Sequence, residues 1–141
     1  MSAHLRERQE KIQQVLERLI EESSVGIPII VEGKKDVETL RQLGLEGKIV
    51  SAKTGGKSRI DVVCEMEESG AKEVIMLFDF DRRGREWTKA FSQHLERARI
   101  KPNLVFWNQL LRFACKELKD VESLTAYTRT LKKKTGELFQ E

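Results

Sequence analysis

The feature that most constrains this chain is a recurring alternation of two patterns. Short, continuously apolar runs rich in β-branched residues are each followed by a longer stretch with helical periodicity. The runs are "IPIIVE" (27–32), "KIVSA" (48–52), "EVIMLF" (73–78) and, after Pro102, "NLVFW" (103–107). Runs of this length bounded by Gly and Pro read as strands, and the absence of polar alternation places them under cover on both faces. Strands covered twice and separated by helices belong to a parallel sheet, because parallel strands need a crossover connection. The expected fold is therefore α/β. It is one domain over 1–141, with about four mainly parallel strands, helices on both faces, an N-terminal helix at about 4–23 and C-terminal helices at about 109–134.

The helical stretches carry their own punctuation. Leu5, Ile12, Val15, Leu16, Leu19 and Ile20 form one stripe over 5–22. Val37 and Leu40 point a helix at 35–43 inward, and Gly44 supplies its stop. Ser58 can cap a helix over 59–68 that carries Ile60, Val63 and Cys64, closed by Gly70. Trp87, Phe91 and Leu95 recur every four residues in a helix over 83–98. At 141 residues, such a chain can bury a real core. Its two cysteines, Cys64 and Cys115, fall in apolar periodic stretches without C-x-x-C spacing, which reads as core thiols in a reducing compartment. No apolar run reaches the length of a membrane span, and no leader pattern opens the chain, so a soluble cytoplasmic protein is expected.

In open α/β sheets, ligands bind beyond the carboxyl ends of the strands. The residues expected there are unusually charged. The first run ends in Glu32, followed by Lys34 and Lys35; the second is followed by Lys53 and Lys57; the third by Asp79, Asp81, Arg82, Arg83 and Arg85. A strand period of two would turn Asp79 and Asp81 to one side and Phe80 to the other. Two carboxylates 4 Å apart repel by about 4 kcal/mol at an effective dielectric near 20, so a compensating charge is required. Oxygen-only ligands suit a hard cation, Mg²⁺ or Mn²⁺, which binds through few carboxylates plus water and substrate phosphate. The basic residues around them suit the phosphates of a nucleic acid. The net charge of +3 is too mild to demand such a partner, so the placement of the positive charge carries the argument.

"VEGKKD" (Glu32, Gly33) and "DFDRRG" (Asp79, Asp81, Gly84), in that order, resemble the Toprim domain. This module is shared by topoisomerases, bacterial-type primases, OLD-family nucleases and small ribosomal-RNA maturases. The resemblance covers roughly 27–107. It implies that Asp79 and Asp81 hold Mg²⁺, and that Glu32 is a metal ligand or a general acid/base in phosphodiester chemistry. The sequence departs from topoisomerases where a third aspartate would stand, at Arg83. Its one tyrosine, Tyr127, falls in an amphipathic C-terminal helix and is expected to pack there. A complete topoisomerase or primase is excluded by size and missing parts.

Two other functional classes compete with a nuclease or RNA-processing factor. A Toprim-like fold can bind RNA or DNA without cutting it, and "RTLKKK" (129–134) could widen the basic surface or simply dress a helix C-terminus. "SAKTGGKS" (51–58) is one residue short of a phosphate-binding Walker loop, with Ser51 where the first glycine belongs. P-loop folds usually place that loop after the first strand, which ranks this reading last. The alternative at 51–58 is a Gly-Gly turn whose amides and Lys57 help hold a nucleic-acid phosphate.

Overall fold

A computed structural model describes residues 3–113, 120–122 and 124. Among them, four parallel strands form one sheet in the order β2-β1-β3-β4: β1 is Ile29–Val31, β2 Ile49–Ser51, β3 Glu73–Leu77 and β4 Lys101–Asn103. The helices are α1 (Ala3–Ser24), α2 (Lys34–Gln42), α3 (Arg59–Glu68), α4 (Arg82–Arg97) and α5 (Val105–Leu111). The expected α/β architecture with helices on both faces is the observed one.

Strand parity sorts the core into two layers. Ile29, Val31, Ile75 and Leu77 face α1, α2 and α5, meeting Leu16, Leu19, Leu40, Phe106 and Leu110. Ile30, Val50, Val74 and Met76 face α3 and α4, meeting Val62, Val63, Met66, Phe91 and Leu95. Both layers are mostly aliphatic with aromatic rings among them, and a fully buried aliphatic side chain contributes about 1.5–3 kcal/mol by leaving water.

Local chemistry sets the helix ends. Ser58 accepts the Asp61 N–H while Asp61 accepts the Ser58 N–H, the reciprocal box that starts α3. Hydrogen bonding from the Ser58 backbone N–H, and then from its side chain, holds the Asp61 carboxyl below its usual range. Gly44 and Gly70, at φ +103° and +76°, follow the ends of α2 and α3 as expected.

Two expectations need correction. "NLVFW" is not a strand. The fourth strand is Lys101–Asn103, and Val105–Leu111 is helix α5, which buries Phe106 and Trp107 against Phe80 and the α1 stripe. The Asn103 side chain stops the strand, because its Oδ1 accepts the Val105 N–H at the start of α5. Cys64 is exposed rather than a core thiol. The buried stripe of α3 is Val62, Val63 and Met66, which turns Ile60 and Cys64 outward. Cys115, Tyr127, the segment 129–134 and most of the helices expected over 109–134 lie outside the described residues. Among the described residues no helix is long and apolar enough to cross a membrane.

Candidate metal centre

Strand order places the site. The chain runs from β1 outward to β2, then returns beside β1 as β3 and proceeds to β4. The reversal lies between β1 and β3, the switch point at whose carboxyl ends open α/β sheets bind their ligands. Val31 pairs with Leu77 at the last register position. Glu32 leaves β1 one residue later, and Asp79 follows β3 by two. The two carboxylates that sequence spacing separates by 47 residues are thus brought together.

Glu32 is buried. Its backbone stays tied to the sheet edge, its carbonyl accepting the Lys53 N–H at 3.1 Å. Its carboxylate meets Lys53 Nζ at 3.7 Å through Oε2, while Oε1 is buried with no hydrogen-bond donor. Burial pushes the Glu32 carboxyl up to about 7, helped by a hydrogen bond to Asp79 and by the charges of Asp79 and Asp81 and opposed by Lys53. Two carboxylates make such a bond only by sharing a proton, so it forms only with Glu32 protonated.

Asp79 and Asp81 do not sit as strand periodicity suggested. The strand ends at Leu77. Phe78 packs in one core layer and Phe80 in the other, so parity is broken between them. Asp79 turns toward Glu32, and its Oδ1 accepts the Val121 N–H at 3.4 Å. Asp81 is exposed and caps α4, its Oδ1 accepting the Gly84 N–H at 2.7 Å. Gly84 is required for this turn. A Cβ there would overlap the Asp79 carbonyl oxygen and lie 2.6 Å from its carbon.

A fourth carboxylate joins from a residue that spacing alone did not single out. Asp36, on the first turn of α2, is buried and accepts the Gly33 N–H at 2.9 Å. Burial pushes its carboxyl up to about 6; the Gly33 hydrogen bond opposes this, and the charges of Asp79, Asp120 and Glu122 add to it. Asp120 and Glu122 arrive because Val121 and Leu124 return to the core and bury completely. The available signal was Asp36 standing four residues after Glu32. The return of 120–122 and Leu124 left no local mark.

The basic residues divide. Lys53 stands beside Glu32 and, with Arg83, over the ring of Trp87. Lys34 and Lys35 are exposed at the start of α2. Lys57 is drawn away along α3 to Glu65 at 3.2 Å, Arg82 pairs with Glu86 in solvent, and Arg85 Nε donates to the Phe80 carbonyl. The loop 51–58 is a Gly-Gly turn, Gly55 and Gly56 both at positive φ, and it follows an edge strand. With Ser58 spent on its cap and Lys57 on Glu65, it lacks the geometry of a phosphate-binding loop.

Among the described residues, no group of three or more His, Cys, Asp or Glu is gathered closely enough to hold a cation unaided. The donors nonetheless suit one. Glu32 and Asp79 form an all-oxygen pair with an orphaned buried oxygen, and Asp81 and Asp36 stand next to it. Mg²⁺ needs only one or two carboxylates, completing its shell with water and phosphate.

The profile of the Toprim domain matches residues 27–107. A UPF0292 protein of Methanosarcina acetivorans is 38% identical over 96% of this chain and 92% of its own length. One from Methanocaldococcus jannaschii is 41% identical over 84% and 90% respectively. A solved structure of a protein from Aquifex aeolicus superposes with a TM-score of 0.67 at 25% identity, covering 78% of this chain and 94% of that one.

Proposed function

This chain belongs to the Toprim-domain family, within the UPF0292 proteins, and from that premise we propose that it performs Mg²⁺- or Mn²⁺-dependent phosphodiester chemistry on nucleic acid. The observation that supports the reading is Glu32, buried with an orphaned Oε1 and facing Asp79 at the β1/β3 switch point. Glu32 and Asp79 would hold the cation, with Asp81 next to them, and it would supply Lewis-acid stabilisation of charge on a phosphoryl oxygen. Lys53 limits the repulsion among the carboxylates and offers a cation to the entering phosphodiester. Lys34, Lys35, Arg83 and Arg85 border the same end of the sheet as further phosphate contacts.

A nuclease or RNA-processing role is favoured over a purely binding role by Glu32. Its carboxylate is buried beside Asp79 and Lys53 with Oε1 left without a donor, a charge that a cation or a reacting phosphate group would complete and that a docking surface does not need. The pure protein is expected to cut structured RNA or DNA with Mg²⁺ or Mn²⁺, and to stop in excess chelator or in Ca²⁺, whose looser coordination orients the attacking group poorly. Cutting undiminished by chelator would refute the reading. Binding without cutting under every metal would leave the docking role.

The geometry at 51–58 gives a separate expectation. Calorimetric titration should detect no micromolar ATP or GTP affinity, in the wild type or in Lys57→Ala. Nucleotide binding that disappears in Lys57→Ala would restore the phosphate-loop reading.

A further inference from the structure

Beside the carboxylates stands an aromatic ring that the chemistry above does not use. Trp87, on the second turn of α4, is half-buried. Phe78 meets it edge-on at 5.9 Å and 85°, and Phe91 lies 6.0 Å away, so the ring is seated at the rim of the second core layer. Two cations approach it: Lys53 Nζ at 5.1 Å and Arg83 Cζ at 5.5 Å from the ring centre. Lys53 Nζ is also 3.7 Å from Glu32 Oε2, so a single ammonium touches both the ring and the metal-site carboxylate.

A tryptophan that only fills space behaves differently here. Trp107 is 7% exposed and donates its Nε1–H to the Phe78 carbonyl at 2.9 Å. Trp87 instead keeps part of its indole at the surface, beside two long side chains that can reach phosphate. Cation–π contacts at an exposed site are weak and exchange readily. An aromatic face among basic residues is the arrangement that single-stranded nucleic acid uses, its bases stacking while its phosphates pair with the cations.

We propose that Trp87 is a stacking platform for an unpaired nucleobase, with Lys53 and Arg83 passing from its ring to the phosphates flanking that base. The substrate class is then single-stranded or locally unpaired nucleic acid, because a base inside a continuous duplex has no free face to offer. This inference rests on the reading that the carboxylate site receives nucleic acid.

The test measures affinity in Ca²⁺ for single-stranded RNA and DNA, for their duplexes, and for an abasic strand of equal length. Trp87→Leu should weaken base-bearing single strands about 5- to 100-fold. It should leave the abasic strand and the duplexes within about twofold, since stacking makes no contribution there. Trp87→Phe, which keeps a smaller ring, should fall between and covers the case of a poorly folded leucine variant. In Trp107→Phe, Trp87 is the one tryptophan remaining, and single strands should quench its fluorescence. Equal losses on abasic and base-bearing strands, or no quenching, would overturn the platform while leaving the metal chemistry standing. Failure to bind any of these nucleic acids would overturn both.

Discussion

Glu32→Gln is expected to lower metal-dependent cleavage by about 10²–10⁴-fold, the usual contribution of a general acid or base. The same substitution should make the metal-free protein more stable at alkaline pH, which separates loss of chemistry from loss of fold. The sign follows from linkage. Glu32 titrates near 4.5 when unfolded and near 7 in the fold, so the fold holds the proton more tightly. That stabilisation is complete below pH 4.5 and is lost as pH rises through 7. Above pH 7 the Glu32 carboxylate is charged and its buried Oε1 has no donor. The introduced glutamine cannot ionise, and its amide can donate to Asp79. The variant should therefore match wild type near pH 4.5 and exceed it at pH 8, by on the order of 1–3 kcal/mol after solvent screening. Melting curves at the two pH values check this. A variant that cuts normally, or that melts lower than wild type at pH 8, would contradict the role given to Glu32.

Gly84→Ala is expected to be the most damaging small substitution at the site. The added methyl meets the backbone of Asp79, which cannot rotate away as a side chain can. The first turn of α4 must shift, loosening the Asp81 cap and moving Asp79 from Glu32. Overpacking of this kind costs about 1–3 kcal/mol, or roughly 3–10 °C at this chain length. Gly33→Ala is the control. Gly33 has an ordinary extended backbone at φ −138°, and a Cβ there would meet nothing nearer than Asp36 Oδ2 at 3.9 Å. It should stay within about 1 kcal/mol of wild type, a limit set by the modest preference of helix N-caps for glycine over alanine. Comparison of the two melting temperatures is the check. Equal melting of Gly84→Ala and wild type would mean that this close approach constrains nothing.

Much of the fold was legible because burial on both faces leaves a direct imprint on composition. Ile29–Val31, Ile49–Ser51 and Glu73–Leu77 all fall within the apolar runs that suggested them. The fourth run failed for a physical reason. A short apolar segment cannot declare whether it is a buried strand or a buried helix, and "LVFW" packs its aromatics just as well from α5. Pro102, read as a breaker, sits within the edge strand β4, where its missing N–H is tolerated. At the site, pairing Glu32 with Asp79 needed only strand order and the rule for strand ends. The direction of Asp81 was illegible because the chain leaves the strand after Leu77 and the carboxylate is taken by the helix cap. Asp120, Val121 and Glu122 were illegible because only a tertiary return brings them near Asp36 and Asp79.

The central claim, that these carboxylates converge to hold a divalent cation, is tested most directly by melting wild type and Asp79→Asn at pH 8 across a Mg²⁺ titration. The introduced asparagine keeps an oxygen for the Val121 N–H and can donate to Glu32, so the variant should melt a few degrees above wild type without metal. Mg²⁺ at a hundredfold excess over its dissociation constant should stabilise the wild type by about 2.7 kcal/mol, or roughly 5–10 °C. It should move Asp79→Asn little, closing or reversing the gap between the two proteins. If Asp79→Asn instead melts lower than wild type without metal, and Mg²⁺ shifts both proteins equally, the carboxylates do not form a metal site.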